Sequence, residues 1–408
     1  MLKATLTLLA GGALAQALPL LLGPWLTRLY TPEQFGSYAV FAALAANLAV
    51  MACARYEYAL PLARDDAEAR ALMALCLRVL LAVGLGTLLL SALLGGAGLL
   101  VDWVWLAPAV VAAGALQWLS LWAARAERYA SLAASRVTQH GGGALAQLAA
   151  GVAHADAGSA GLVAGPVLAA TAALLWLRTP APPSGWRALW AVPRTAWAAA
   201  ARRHRTFPLL NTPHAFAGAL QDTLAVALIV AWSGEPAAGF WGLALRYLKA
   251  PATLVGGAVS QALYPRLARA GAAEARRAVR QVMAILAGLA LPLVALLMVF
   301  GPDLFARVFG APWREAGELA RALAPYIGLH FIASPLAVVT LAWAAQAWAL
   351  RLALVGQAVF IGALAIGLHL GGLRGAAWAV SAAMLPYFGW YFLRLATWKQ
   401  VPAHAALA

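Results

Sequence analysis

Runs of about twenty apolar residues, each closed by a short polar break, recur along almost the whole chain. A bilayer's hydrocarbon core, ~30 Å thick, takes ~20 helical residues to cross. Twelve runs of that length are read at 5–27, 35–55, 72–94, 103–124, 131–152, 159–177, 207–232, 238–260, 281–300, 318–342, 348–370 and 375–396. Soluble domains keep nearer ~45–50% apolar and ~25% charged residues, whereas here 64% of 408 residues are hydrophobic and 11% are charged. A chain this apolar cannot cover one aqueous core with polar surface, which excludes a soluble enzyme and a disordered chain. The expected fold class is an all-α polytopic membrane protein. The first run starts like a signal peptide, with Lys3 and Ala15-Gln16-Ala17, yet stays apolar to Leu26. That is the length of a span, not of a cleavable segment.

The net charge of +15 would suggest nucleic acid in a soluble protein, so the positions of the charges decide its meaning. With an even number of spans both termini share a side. If that side is cytoplasmic, segments 54–71, 125–136, 178–206, 261–280 and 343–351 together with the termini, including Lys399, carry 21 of the 29 basic residues. The opposite loops hold four, Arg28, Arg307, Arg314 and Arg374. This asymmetry predicts cytoplasmic N- and C-termini and no nucleic acid partner. Four more, Arg78, Arg246, Lys249 and Arg321, fall within spans.

The polar stretch 179–206 is expected to be a basic cytoplasmic linker. Pro180, Pro182, Pro183 and Gly185 break it, and Trp186–Trp197 reads as an amphipathic helix on the membrane surface. It would separate two six-helix bundles, 1–178 and 207–408. Six is even, so the halves would share an orientation and be related by a pseudo-two-fold axis along the membrane normal. Cys53 and Cys76 have neither disulfide nor metal spacing and read as buried thiols.

The opening LLAGGALAQALPLLLGPWLTRLYTPEQFGSYAVFAAL, with RYEYALPL (55–62) and Asp65-Asp66, resembles the polysaccharide and O-antigen flippases. These are lipid-linked oligosaccharide exporters of the multidrug/oligosaccharidyl-lipid/polysaccharide superfamily. FPLLNTPHAFAGALQDTLAV (207–226) and GFWGLALRYLKAPATLVGGAVSQALYPRLAR (239–269) are similar to the same family. The resemblance implies a two-bundle alternating-access transporter, not an enzyme. It would move an undecaprenyl-pyrophosphate-linked glycan across a bacterial inner membrane for lipopolysaccharide O-antigen, capsule or exopolysaccharide. Its partners would be that lipid, membrane lipids and other membrane proteins of polysaccharide assembly. The alternatives are a multidrug exporter of the same superfamily and a membrane glycan polymerase or ligase.

Charges within hydrocarbon cost at least ~2.5–3.5 kcal/mol and normally face a cavity or a partner. Arg246 and Lys249 share a helical face in span 8, at depths of roughly 12 and 16 Å from Ala238. Either they engage the pyrophosphate, Arg as a planar fork and Lys as a point charge, or a neighbour such as Asp222 neutralises them. Arg28 either snorkels at the outer interface or forms a cationic cavity mouth. Arg55 either anchors the cytoplasmic end of span 2 beside Glu57 or receives the headgroup there. Gln16, Asn47, Asn211 and Gln221 can bond helix to helix or bond sugar hydroxyls. His140, His214, His330 and His369 either carry a coupling proton or are structural. Pro19, Pro24 and Pro251 are expected to interrupt spans 1 and 8 and let them bend. The chain has no G-x-x-x-x-G-K-[ST] loop, so no cofactor is expected, and an ion gradient or the membrane potential would drive transport.

Overall fold

The computed structural model describes residues 2–153, 158–178, 185–343 and 345–398. Pro180, Pro182, Pro183 and Lys399 lie outside them. The described residues contain helices, turns and loops but no strand, as backbone crossing hydrocarbon requires. A helix stands at each expected span. The first four are α1 (Leu2–Leu29), α2 (Pro32–Ala49), α3 (Asp66–Gly96) and α4 (Leu106–Arg125). α5 (Tyr129–Val137) continues through a wider π turn at 138–142 into α6 (Gly143–Ala153), and α7 (Ala160–Leu177) follows. The linker holds a single turn, α8 (Ala188–Ala191), and then α9 (Arg194–Arg203). The remaining helices are α10 (Thr212–Arg269), α11 (Ala272–Phe309), α12 (Arg314–Ala342) and α13 (Gln346–Ala396).

α10 and α13 are each about twice the length a bilayer takes, and each breaks where two spans were expected to meet. In α10 the break is Gly234 (φ 80°, ψ 174°), followed by Glu235 and Pro236. In α13 it is Gly371 and Gly372, the latter at φ 59°, ψ −154°. Conformations at such positive φ suit glycine because a Cβ would clash there. The prolines behave differently from expectation. α1 runs unbroken through Pro19 and Pro24, and Gly234 is the one residue of α10 with non-helical dihedrals, so Pro251 does not interrupt it. Neighbouring groups can re-satisfy what a proline frees inside a membrane helix.

The TPEQ motif is a helix start. Thr31 accepts from the Gln34 amide while the Gln34 side chain accepts from the Thr31 amide, and Pro32 opens α2. That is a reciprocal capping box with proline where its missing N–H costs nothing. Tyr30 just before it is buried and donates to the Gln147 carbonyl at 2.8 Å. Asp65 caps α3 through the Glu68 amide at 2.8 Å.

The chain forms two compact units, 1–226 and 227–408. In the first, α3, α4 and α7 surround a core that includes Leu72, Met73, Leu116, Trp122 and Leu177. The start of α10 belongs to this unit, where Thr223 donates to the Ala43 carbonyl at 3.1 Å. In the second, α12 is the central helix, with Leu319, Leu323 and Leu336 fully buried. Ser381 of α13 donates to its Ala322 carbonyl at 2.6 Å. Leucines 85, 89 and 93 of α3 remain largely exposed along one stripe, the surface a lipid-facing helix presents.

The linker corrects one expectation. Trp186–Trp197 is not one helix, because Pro193 forces Val192 to be extended (ψ 120°) and divides the segment into α8 and α9. Arg78, read as a charge within span 3, holds this segment in place. Its guanidinium donates to the carbonyls of Leu189, Trp190 and Val192 at 3.2, 3.2 and 3.5 Å and lies over the Trp197 ring. At the far end, Glu68 pairs with Arg203 at 3.4 Å and His204 at 3.0 Å. Replacing Arg78 with Gln should therefore speed tryptic cleavage at Arg187 and Arg194 several-fold in detergent-solubilised protein. An unchanged digestion rate would show that this grip does not restrain the linker.

Candidate functional site

The polar residues of the first unit stand at different levels. Arg28, the penultimate residue of α1, is exposed and folds back onto the Pro24 carbonyl. Arg55 lies beyond the other end of α2. The 18 residues of that helix put about 27 Å between the two levels. Gln16 and Asn211 are exposed, Gln221 is half-buried, and Asn47 is buried with its amide nitrogen unpartnered. Asp222 is exposed, and within this unit no basic side chain pairs with it among the described residues. The His214 side chain lies outside the described residues.

The RYEY motif forms a strained corner between α2 and a 3₁₀ turn over Tyr56–Leu62. Ala54 and Arg55 are both left-handed, with φ of 48° and 62°. Non-glycine residues held there cost of order 1–3 kcal/mol each and persist where the surroundings enforce them. Arg55 donates to the Tyr58 hydroxyl at 2.7 Å and its guanidinium lies 5.1 Å from that ring's centroid. Gln117 of α4 donates to the same hydroxyl at 3.3 Å. Arg125 fixes the far side by donating to the Leu60 and Ala63 carbonyls at 3.3 and 2.9 Å.

Glu57 is buried and one of its carboxylate oxygens has no partner. Burial raises its pKa, opposed by a hydrogen bond to its own backbone and by the Arg55 charge. The two-residue spacing of Arg55 and Glu57 indicated only that they do not share a face. The left-handed turn that buries Glu57 and the reach of Gln117 across 59 residues leave no periodic signal in sequence.

In the second unit, Arg246 and Lys249 stand one turn apart on α10 beyond its break, both half-buried. Lys249 acts electrostatically on His330 of α12, whose ring packs against Tyr326 at 6.0 Å between centroids. The spacing of α10 alone could not show this influence of a lysine on a histidine of another helix. Within this unit no carboxylate pairs with Lys249 among the described residues. Two further in-span cations hold structural contacts: Arg78 grips the linker, and Arg321 pairs with Glu318 at 3.2 Å. The carboxylates at the end of this unit bearing Arg374 are also engaged, Asp303 with Arg314 and Glu315 with Arg374.

A family model described as "Polysaccharide biosynthesis protein" matches residues 25–318. The chain belongs to this polysaccharide biosynthesis family. No curated protein matches the sequence significantly. Among solved structures, the lipid II flippase MurJ in an inward closed conformation is similar with a TM-score of 0.70 at 9% identity, over 97% of this chain and 90% of that one. An inward-facing multidrug resistance transporter of the MATE family gives 0.67 at 15% identity, over 95% and 94%. A transporter of the same superfamily from Pyrococcus furiosus gives 0.57 at 15%, over 96% and 95%. The polysaccharide biosynthesis chain thus has the fold of the MOP transporter superfamily, the superfamily its sequence resembles.

Glu57 makes a pH prediction. Its folded pKa is raised, so its contribution to stability is complete below the unfolded value of ~4.3 and is lost as pH rises through the raised value. The melting temperature of wild type relative to Glu57→Gln should therefore fall as pH climbs from about 4 toward neutrality. A difference that stays constant or grows would contradict the burial-driven shift.

Proposed function

We propose that this chain is a flippase that carries an undecaprenyl-pyrophosphate-linked oligosaccharide from the cytoplasmic to the outer leaflet of a bacterial inner membrane. The glycan would serve O-antigen, capsule or exopolysaccharide assembly. The observation that carries the reading is the Arg246–Lys249 pair, half-buried in mid-span in a member of a polysaccharide biosynthesis family. A guanidinium fork with an ammonium one turn away suits a pyrophosphate, which offers several charged acceptor oxygens.

Arg55 and Arg28 lie at levels suited to capture and release of the same headgroup. Asn47, Gln16, Gln221 and Asn211 would meet sugar hydroxyls. The basic residues favour cytoplasmic termini. In that orientation an inside-negative potential helps an anionic headgroup outward by ~2.3 kcal/mol per charge per 100 mV, so the potential or an ion gradient would be the driving force.

A multidrug exporter that binds cations is disfavoured, because the mid-span charge of this chain is mainly basic. A glycan polymerase or ligase is disfavoured because one member of the single Asp-Asp pair, Asp65, is engaged as the cap of α3.

Complementation of a strain lacking its own flippase tests the proposal. A lost charge-assisted hydrogen bond is worth ~1.5–3 kcal/mol, about tenfold or more. Arg246→Ala and Lys249→Ala should thus each cut surface glycan by about that factor at normal expression, with Arg246→Lys retaining part of it. Wild-type glycan levels from both alanine variants would overturn the assignment.

A further inference from the structure

The two halves of α13 leave a groove between them, about 510 Å³ in volume. Trp348, Leu352, Val355 and Val359 form one wall, a stripe at helical spacing, and Ala383, Pro386 and Trp390 form the other. Tyr387 makes the floor. It donates to the Leu352 carbonyl at 3.1 Å, and a Cβ at Gly356 would stand 2.6 Å from its ring, so the ring lies directly on that glycine's backbone. The small Ala383 and the compact Pro386 leave the space that larger side chains would fill.

The groove is apolar along its length and cationic at one end. Arg351 lines it there, and Arg394 lies over the Trp390 ring at 5.8 Å. Neither pairs with a carboxylate among the described residues. Arg276 and Arg280 stand at the same end but donate to the Trp398 and Ala396 carbonyls. The indole nitrogen of Trp348, on the groove wall, is buried without a partner. Trp348 is itself fixed by the Tyr391, Trp390 and Trp398 rings, so it cannot readily turn away to find one.

From Trp348 to Val359 the groove descends about 16 Å, close to the ~15 Å that one leaflet contributes to a hydrocarbon core of ~30 Å. We propose that it binds one acyl chain of an anionic phospholipid from the adjoining leaflet. Arg351 and Arg394 hold the phosphate, and the Trp348 indole donates to a headgroup or ester oxygen. An undecaprenyl chain is several times longer than this groove, so an ordinary phospholipid is the better match in depth. The site is separate from Arg246 and Lys249 and does not depend on the transport assignment.

Native mass spectrometry of the full-length purified protein tests this, titrating phosphatidylglycerol against phosphatidylcholine with the same chains. Wild type should bind phosphatidylglycerol about tenfold more tightly. The double variant Arg351→Gln/Arg394→Gln should lose that preference, whereas Arg351→Lys should keep most of it. Ala383→Phe, which fills the groove, should weaken both lipids, with melting temperature confirming that each variant is folded. Equal binding of the two lipids by wild type, or a preference that survives the double variant, would overturn the proposal. So would a preference abolished by Arg187→Gln/Arg194→Gln in the linker, or undecaprenyl phosphate displacing phosphatidylglycerol at lower concentration.

Discussion

Backbone that crosses hydrocarbon has no water to bond with, so each N–H and C=O must find its partner inside its own helix. Much of this architecture follows from that constraint. It makes the described residues helical and sets the length of each run. It also places the non-helical residues of the double-length helices, Gly234 and Gly371–Gly372, where one span gives way to the next. Helix ends must still satisfy their leftover groups, and here the loop arginines take part. Arg125 donates to carbonyls of the 56–63 corner, and Arg276 and Arg280 to the Trp398 and Ala396 carbonyls at and just beyond the end of α13; Arg78, on α3 itself, does the same for the linker. Arg125, Arg276 and Arg280, counted in the sequence among the basic residues expected to orient the chain, thus also complete its hydrogen bonding.

That double use explains which features were legible in sequence. Span positions are written in runs of apolar residues, and the short breaks between runs 207–232 and 238–260 and between 348–370 and 375–396 mark where α10 and α13 break. The TPEQ segment was legible as a resemblance and proves to be a capping box, its residues chosen by the demands of a helix start. Pro193 could have shown that Trp186–Trp197 is not one helix, since the residue before a proline avoids helical dihedrals. Arg78 could not be assigned, because its partners lie more than a hundred residues away. The burial of Glu57 and the electrostatic influence of Lys249 on His330 likewise depend on tertiary structure. Each depends on which helices pack together, and helical periodicity does not carry that information.

Four cations fall within the expected spans. Arg78 and Arg321 have partners that explain them as structure. Lys249 acts electrostatically on His330 and pairs with no carboxylate of its unit among the described residues, with Arg246 one turn away. The family and fold make a transporter the setting for these residues, and the proposed cargo is anionic.

The most direct measurement is binding of undecaprenyl pyrophosphate and of uncharged undecaprenol to the full-length protein, compared between wild type and Arg246→Gln/Lys249→Gln. Wild type should prefer the pyrophosphate by at least about tenfold, from charge-assisted bonds of ~1.5–3 kcal/mol, and the double variant should bind the two lipids alike. Equal binding by wild type, or a preference that survives loss of both cations, would contradict the assignment of these residues to the headgroup.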